Sequence, residues 1–276
     1  MSGFSIAWLN LREAADVSAR DRTLARRAIE WVGAAPLPGM VCVDLASGTG
    51  STLGALARLD TVDFPDHGCW RLVDHDPVLL DEALRRHGGQ YQIATYENDL
   101  NEIDALPLSG AHLVTASALF DLVSRNFIER LAAKLSLERS ALYAALNYDG
   151  TTTWSPVHAL DEDVLAAFNR DQCRDKGLGQ ALGPEATSCL QATLMAAGYE
   201  VSLASSPWLL GPADHALTKE LVNGIAGAAA TDSTFSGHPD RREQLKDWQN
   251  FRLAHAGSGH CRVGHCDLLA LPVSTV

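Results

Sequence analysis

The stretch Asp44-Leu45-Ala46-Ser47-Gly48-Thr49-Gly50 restricts this chain more than any other. It follows Met40-Val41-Cys42-Val43, a β-rich apolar run that reads as a strand buried on both faces. Residues 52–59 beyond it return to helical spacing. A strand that ends in an acid and turns through glycines into a helix opens an α/β unit. The glycines let the backbone approach a ligand and leave N–H groups free at the helix start. A nicotinamide fingerprint would need Gly-x-Gly-x-x-Gly, but the third position counted from Gly48 is Leu53. A phosphate loop would need Gly-Lys-Ser/Thr, and this turn holds no lysine. What fits is Asp-x-Gly-x-Gly-x-Gly with Ala46 in place of the first glycine, which implies a backbone that need not take positive φ at that position.

The alternation continues along the chain. Strands are expected at 69–73, 90–96, 111–116 and 140–146, with helices at 77–87 and 127–135 between them. Before the turn, residues 7–33 read as one helix, stopped by Ala34-Ala35-Pro36-Leu37-Pro38-Gly39. After Asn147 the rhythm changes. Helices are expected at 160–176, 184–197, 213–230 and 239–254, a strand at 199–203, and a closing edge strand at 263–271. The fold class is therefore α/β: a doubly wound, mostly parallel seven-stranded sheet with helices on both faces and helical insertions in the C-terminal half. We read one domain over 1–276: a helical segment at 1–39, a cofactor-binding core at 40–147, and substrate-side helices with closing strands at 148–276. Ligands of such sheets lie beyond the strand carboxyl ends, where strand order reverses.

Composition narrows the partners. With 22 Lys+Arg against 34 Asp+Glu the formal charge is −12, and no Lys/Arg block overrides it locally, so a polyphosphate is repelled and nucleic acid is not expected. No apolar stretch approaches the ~18 residues of a membrane span, and no signal-peptide pattern begins the chain. The six cysteines are scattered rather than densely spaced, which suits reduced thiols in a cytoplasmic setting. His260-Cys261 and His265-Cys266 lack a complementary pair, so no metal site is expected. The expected partner is a small molecule, with oligomeric state left open.

The turn resembles the first motif of the class I S-adenosylmethionine-dependent methyltransferases, and further segments follow in order. Arg71-Leu72-Val73-Asp74-His75-Asp76-Pro77 is similar to the second strand of that family, whose terminal acid holds the ribose hydroxyls. Glu97-Asn98-Asp99-Leu100 is similar to the segment facing the adenine amino group. His112-Leu113-Val114-Thr115-Ala116-Ser117-Ala118-Leu119-Phe120-Asp121 is similar to the fourth strand and active-site loop, with His112 where an acid is usual. No Asn/Asp-Pro-Pro-Tyr/Phe motif follows, which disfavours the amino-methylating DNA and protein-glutamine branches. The resemblance implies S-adenosyl-L-methionine as cofactor and methyl transfer to a small-molecule acceptor. The alternative is a protein of the same fold that binds this cofactor with a non-catalytic or other transferase role.

The resemblance implies a cofactor set of Asp44, Ala46, Ser47, Gly48, Thr49, Asp74, His75, Asp99, Leu100 and Ser117. Arg20 joins them because an arginine can clamp the methionine carboxylate. The competing reading of Arg12 and Arg20 is a solvated helix face paired with Glu13, Asp16 and Asp21. Asp76 before Pro77 is also a good helix start. On the acceptor side we expect Phe120, Asn147, Tyr148, Trp154 and Arg170, with His158 and the rest of the run Phe168-Asn169-Arg170-Asp171-Gln172 as further candidates. Asp121 is the expected catalytic residue, orienting an acceptor or taking its proton. Its competing reading is the N-cap of the helix that follows.

Overall fold

Two layers of apolar side chains alternate along every central strand, and that alternation builds the architecture. The computed structural model describes residues 4–34, 40–59 and 68–273. The first half runs α1 (Ile6–Ala19), α2 (Arg22–Gly33), β1 (Val41–Leu45), α3 (Ser51–Ala57), β2 (Cys69–Asp74), α4 (Pro77–His87), β3 (Gln92–Glu97), β4 (Leu113–Ser117), α5 (Arg125–Glu138) and β5 (Ala141–Ser155). The second half runs α6 (Asp161–Gln172), α7 (Ala186–Ala196), β6 (Tyr199–Ser205), β7 (Trp208–Leu210), α8 (His215–Thr231), α9 (Ser233–Ser236), α10 (Pro239–His255) and β8 (His260–Pro272). Val43, Leu45, Val73, Val114 and Leu142 point to one face, where α5 and α7 cover them. Cys42, Trp70, Leu72, Leu113 and Tyr143 point to the other, against α2, α3 and α4. Strands buried on both faces explain why the runs read as continuously apolar.

The strand order is β3-β2-β1-β4-β5-β8-β6, with β7 pairing β8 as an eighth strand beyond the seven expected. The strands β1 to β5 pair in parallel, whereas β8 runs antiparallel to β5, β6 and β7. Order reverses between β1 and β4, so the crevice that binds ligands in such sheets lies where these two strands end.

Three expectations are corrected here, and a fourth falls outside the described residues. The single helix over 7–33 is two, because Arg20 is extended (φ −55, ψ 135) and Asp21 caps α2, its Oδ1 accepting from Leu24 N at 2.8 Å. The break expected at 35–39 lies outside the described residues. The closing strand is interior rather than an edge, inserted between β5 and β6. Finally, β5 does not stop near residue 146 but continues to Ser155 through two register shifts against β8. Leu146 takes φ 57 at the first shift, and its N–H is held by the buried Asp267 Oδ1 at 2.8 Å. Beyond this bulge β5 carries a second core, in which α6, α8 and α10 pack through Val164, Ala167, Val222, Ile225 and Trp248. Among the described residues no helix is long and apolar enough to cross a membrane.

Candidate active site

A pocket opens where β1 and β4 end, floored by the glycine turn and roofed by α1. The turn is built by backbone conformation. Ala46 takes φ 50, Gly48 φ 52 and Gly50 φ 79. The expectation that Ala46 need not adopt positive φ is therefore corrected: the turn demands it, because Ser47 N must donate to Val73 O of the neighbouring strand at 3.0 Å. An alanine in this region carries a strain of ~1–2 kcal/mol that glycine would not. At Gly48 the constraint is spatial as well, since an added Cβ would stand 3.2 Å from Leu9 Cδ1 of the roof.

Asp74 closes β2 and locks the turn in place. Its Oδ2 accepts from Gly48 N at 2.9 Å and its Oδ1 from Asp76 N at 3.1 Å. His75 Nδ1 lies 3.3 Å from Oδ1 at the half-exposed rim. Asp76 is the N-cap of α4, accepting from Val78 N at 2.9 Å, as the competing reading has it. Asp99 lines the pocket further along, its Oδ1 accepting from Asn101 N and Nδ2 at 2.9 and 3.0 Å. The Asn101 amide reaches on to Gly177 O at 2.9 Å and so brings Leu178 over the pocket. Leu178, Leu100, Leu119 and Leu122 form an apolar slot there.

Ala46, Ser47, Gly48, Thr49, Asp74, His75, Asp99, Leu100 and Ser117 all line this pocket. Asp44 and Arg20 lie beneath its wall. Asp44 is fully buried, and its Oδ1 accepts from the Thr115 hydroxyl at 2.6 Å while Oδ2 has no partner. Burial pushes its carboxyl up to about 7, against the pull of Thr115 and the Arg20 charge. Arg20 is buried, not on a solvated face. Its Nη2 donates to Ser117 Oγ at 3.0 Å and Thr52 Oγ1 at 3.5 Å, leaving Nε and Nη1 without partners.

Asp121 sits in the short 3-10 turn Phe120–Leu122 and does not cap α5; Ser124 does, accepting from Phe127 N at 3.3 Å. The Asp121 carboxyl is buried behind the lining residues Leu119 and Leu122, with Oδ1 unpartnered. Burial raises it to about 6, partly offset by backbone N–H groups and the Arg12 charge.

The expected acceptor residues are not gathered here. Phe120 is fully buried in the core with Val123 and Phe127. Asn147 fills the β5 bulge, donating to Ala144 O and Cys266 O at 3.1 and 2.9 Å. Tyr148 packs edge-on to Phe168 and donates to Asn169 Oδ1 at 2.9 Å. Trp154 packs against Trp248 and under Arg252, in the second core. Arg170 ties α6 to the start of α9 by a two-pronged bond to Asp232 at 2.8 and 2.9 Å, and Asp171 pairs with Lys176. His158 accepts from Leu160 N at the start of α6. These positions follow Asn147 in sequence, but the β5 bulge carries most of them toward the second core.

The roof comes from the N-terminal helix, whose apolar spacing and whose Arg12 the sequence shows, without showing that this face covers a pocket. Phe4, Leu9, Arg12 and Asp16 line the pocket from the N-terminal segment and α1. Arg12 does pair with Asp16, but both are largely buried rather than solvated. The apolar stripe Trp8, Leu11 and Ala15 packs α1 against Trp208, Leu210 and Leu217. Among the described residues no group of three or more His, Cys, Asp or Glu could hold a metal ion.

No family model matches the chain, and no curated protein matches its sequence. Several solved structures are similar to it at low identity. The cyclopropane synthase MmaA2 from Mycobacterium tuberculosis is 11% identical at a TM-score of 0.48, covering 90% of this chain and 83% of that one. The geranyl diphosphate C-methyltransferase from Streptomyces coelicolor A3(2), solved with Mg2+, geranyl diphosphate and S-adenosyl-L-homocysteine, is 12% identical at 0.45, covering 91% and 80%. The phosphoethanolamine N-methyltransferase 2 from Haemonchus contortus, solved with S-adenosyl-L-methionine, is 13% identical at 0.45, covering 90% and 52%. These likenesses are distant ones of fold, and what those proteins act on belongs to them.

Proposed function

We propose that this chain transfers a methyl group from S-adenosyl-L-methionine to a small-molecule acceptor. The observation that carries the reading is the crevice at the reversal of strand order, where Asp74 accepts the Gly48 N–H beside an apolar slot of four leucines. The donor set suits this cofactor. A carboxylate has about four lone-pair sites, and Asp74 spends one on Gly48 and one on Asp76, leaving capacity for two ribose hydroxyls. The leucine slot beside Asp99 accepts a planar base, and the unpartnered nitrogens of Arg20 suit a carboxylate.

When bound, the cofactor supplies a methyl carbon on a sulfonium, a good leaving group. The protein then aligns the acceptor and excludes water, which is the work of the roof residues Leu9 and Arg12 over the glycine turn. Asp121 accepts the proton that the acceptor gives up. A carboxyl near 6 is charged at neutral pH yet basic enough to hold that proton. Within one unit over 1–276, α1 roofs the site, the segments between β1 and Asn147 hold the cofactor, and Leu178 is the described residue beyond them that reaches the pocket lining. The net charge of −12 opposes nucleic acid as substrate, and six free cysteines suit the reducing cytoplasm.

Calorimetry tests the reading. The protein should bind S-adenosylhomocysteine at micromolar level, and Asp74→Ala should weaken it by ~1.5–3 kcal/mol, about 10- to 150-fold. Unchanged affinity in that variant removes Asp74 from the ribose site.

A further inference from the structure

Of the basic residues that line the pocket, the described ones are His75 and Arg12, and they stand at different places. His75 leans on Asp74 beside the glycine turn. Arg12 hangs from the roof, held by three contacts that fix its plane. Its Nε and Nη2 meet the two oxygens of Asp16 at 2.8 and 3.2 Å, and its guanidinium lies 5.1 Å from the centroid of the Trp208 ring. The same carboxylate also accepts the Trp208 indole N–H at 2.9 Å, which fixes Asp16 and with it the edge that Arg12 turns away from the pair. Nη1 of Arg12 meets no hydrogen-bond partner among the described residues.

Arg12 and Arg20 do not serve one ligand group. They are eight residues apart, ~12 Å along a helix that rises about 1.5 Å per residue. Arg20 donates to Ser117 at the end of β4, the strand-end side of the crevice. Arg12 lines the pocket from α1 instead, and its positive charge lowers the pKa of both the Asp121 carboxyl and the His265 ring. Burial holds His265 down to about 4, so it is neutral near pH 7 and offers no rival positive charge.

We infer that Arg12 is the specificity-determining residue for the acceptor, its free edge receiving a carboxylate or phosphate on that molecule. The inference rests on the methyltransferase reading and names the substrate class of the same site. An acceptor anchored by its anion at Arg12 lies under α1 and beside Leu119 and Leu122, the lining residues that stand in front of Asp121. A planar guanidinium edge suits a carboxylate or phosphate oxygen pair.

The test uses protein saturated with S-adenosylhomocysteine and a probe panel of small aliphatic and aromatic carboxylates and phosphate monoesters, each beside its neutral amide or alcohol. We expect at least one anion to bind about tenfold or more tighter than its neutral counterpart. The carboxylate and phosphate arms separate the two sources of charge. Arg12→Met should bring anion and neutral probe within about twofold while S-adenosylhomocysteine affinity stays within about threefold. Should that variant melt early, Arg12→Lys keeps the charge and loses the fork, and should retain a reduced preference for the anion. Equal binding of anions and neutral probes to the unsubstituted protein, or a preference that survives Arg12→Met, overturns the assignment. So does a loss of S-adenosylhomocysteine affinity of about tenfold in Arg12→Met, which gives Arg12 to the cofactor. Failure of S-adenosylhomocysteine to bind the unsubstituted protein overturns the reading of the site itself and is seen before any probe is added.

Discussion

The indole N–H of Trp208 donates to Asp16 Oδ1 at 2.9 Å, joining the roof helix α1 to strand β7 across 192 residues of chain. Both groups are buried, and the bond is charge-assisted. Trp208→Phe keeps a ring beneath Arg12 but leaves Asp16 one donor short. Chemical denaturation should show a loss of ~1–3 kcal/mol. Hydrogen exchange in α1 should quicken at the same time. Unchanged α1 protection would mean that the apolar stripe Trp8, Leu11 and Ala15 holds the roof alone.

Asp121 offers a cleaner separation of roles than its sequence position suggested. Ser124 caps α5, so Asp121→Asn disturbs no cap. With the true acceptor, turnover should fall by ~10²–10⁴ while cofactor affinity changes only a few-fold. An Asn variant that turns over at the original rate leaves Asp121 without a proton to carry.

Ala46 holds φ 50 at a position where glycine is free of strain. Ala46→Gly should therefore stabilise the fold by ~0.5–1 kcal/mol, the strain relieved less the extra freedom gained by the unfolded chain. The denaturation midpoint should rise with an unchanged slope. A fall would show that the Ala46 methyl makes packing contacts worth more than the strain.

Burial raises the Asp44 carboxyl from its ordinary 3.8 to about 7. The folded state therefore holds a proton that the unfolded chain has released over that interval. The associated stability is fully present below 3.8 and is lost as pH rises through about 7. His265 works oppositely: with its ring held down to about 4, its contribution is present above 6.5 and lost as pH falls through about 4. Asp44→Asn retains an oxygen for the Thr115 hydroxyl and carries no proton to lose. Urea midpoints measured at about pH 5.5 and 8 should drop less in Asp44→Asn than in the unsubstituted protein. Equal drops would assign the loss to other groups, Asp121 first among them.

Local chemistry made the parallel half of the fold legible. Val43, Leu72 and Val114 sit in runs apolar on both sides, Asp76 with Pro77 marks the start of α4, and the glycine turn sits where β1 must bend into α3. The apolar spacing of residues 7–33 reads as one helix, whereas the break at Arg20 and Asp21 is fixed by Asp267, 246 residues away, which takes the Asp21 N–H at 2.9 Å. Nothing local announces that partner.

By itself, then, the sequence determined the strand–turn–helix units and the residues of the glycine turn, because these depend on neighbours within a few positions. Only the tertiary structure decided that β8 enters between β5 and β6, that β5 beyond its bulge carries Trp154 to a second core, and that Arg12 roofs the pocket. Each of those outcomes depends on contacts between distant segments. Antiparallel insertion of a strand, a bulge held by Asp267, and a helix clasped by Trp208 are settled by packing and hydrogen-bond satisfaction in three dimensions, which no local pattern encodes.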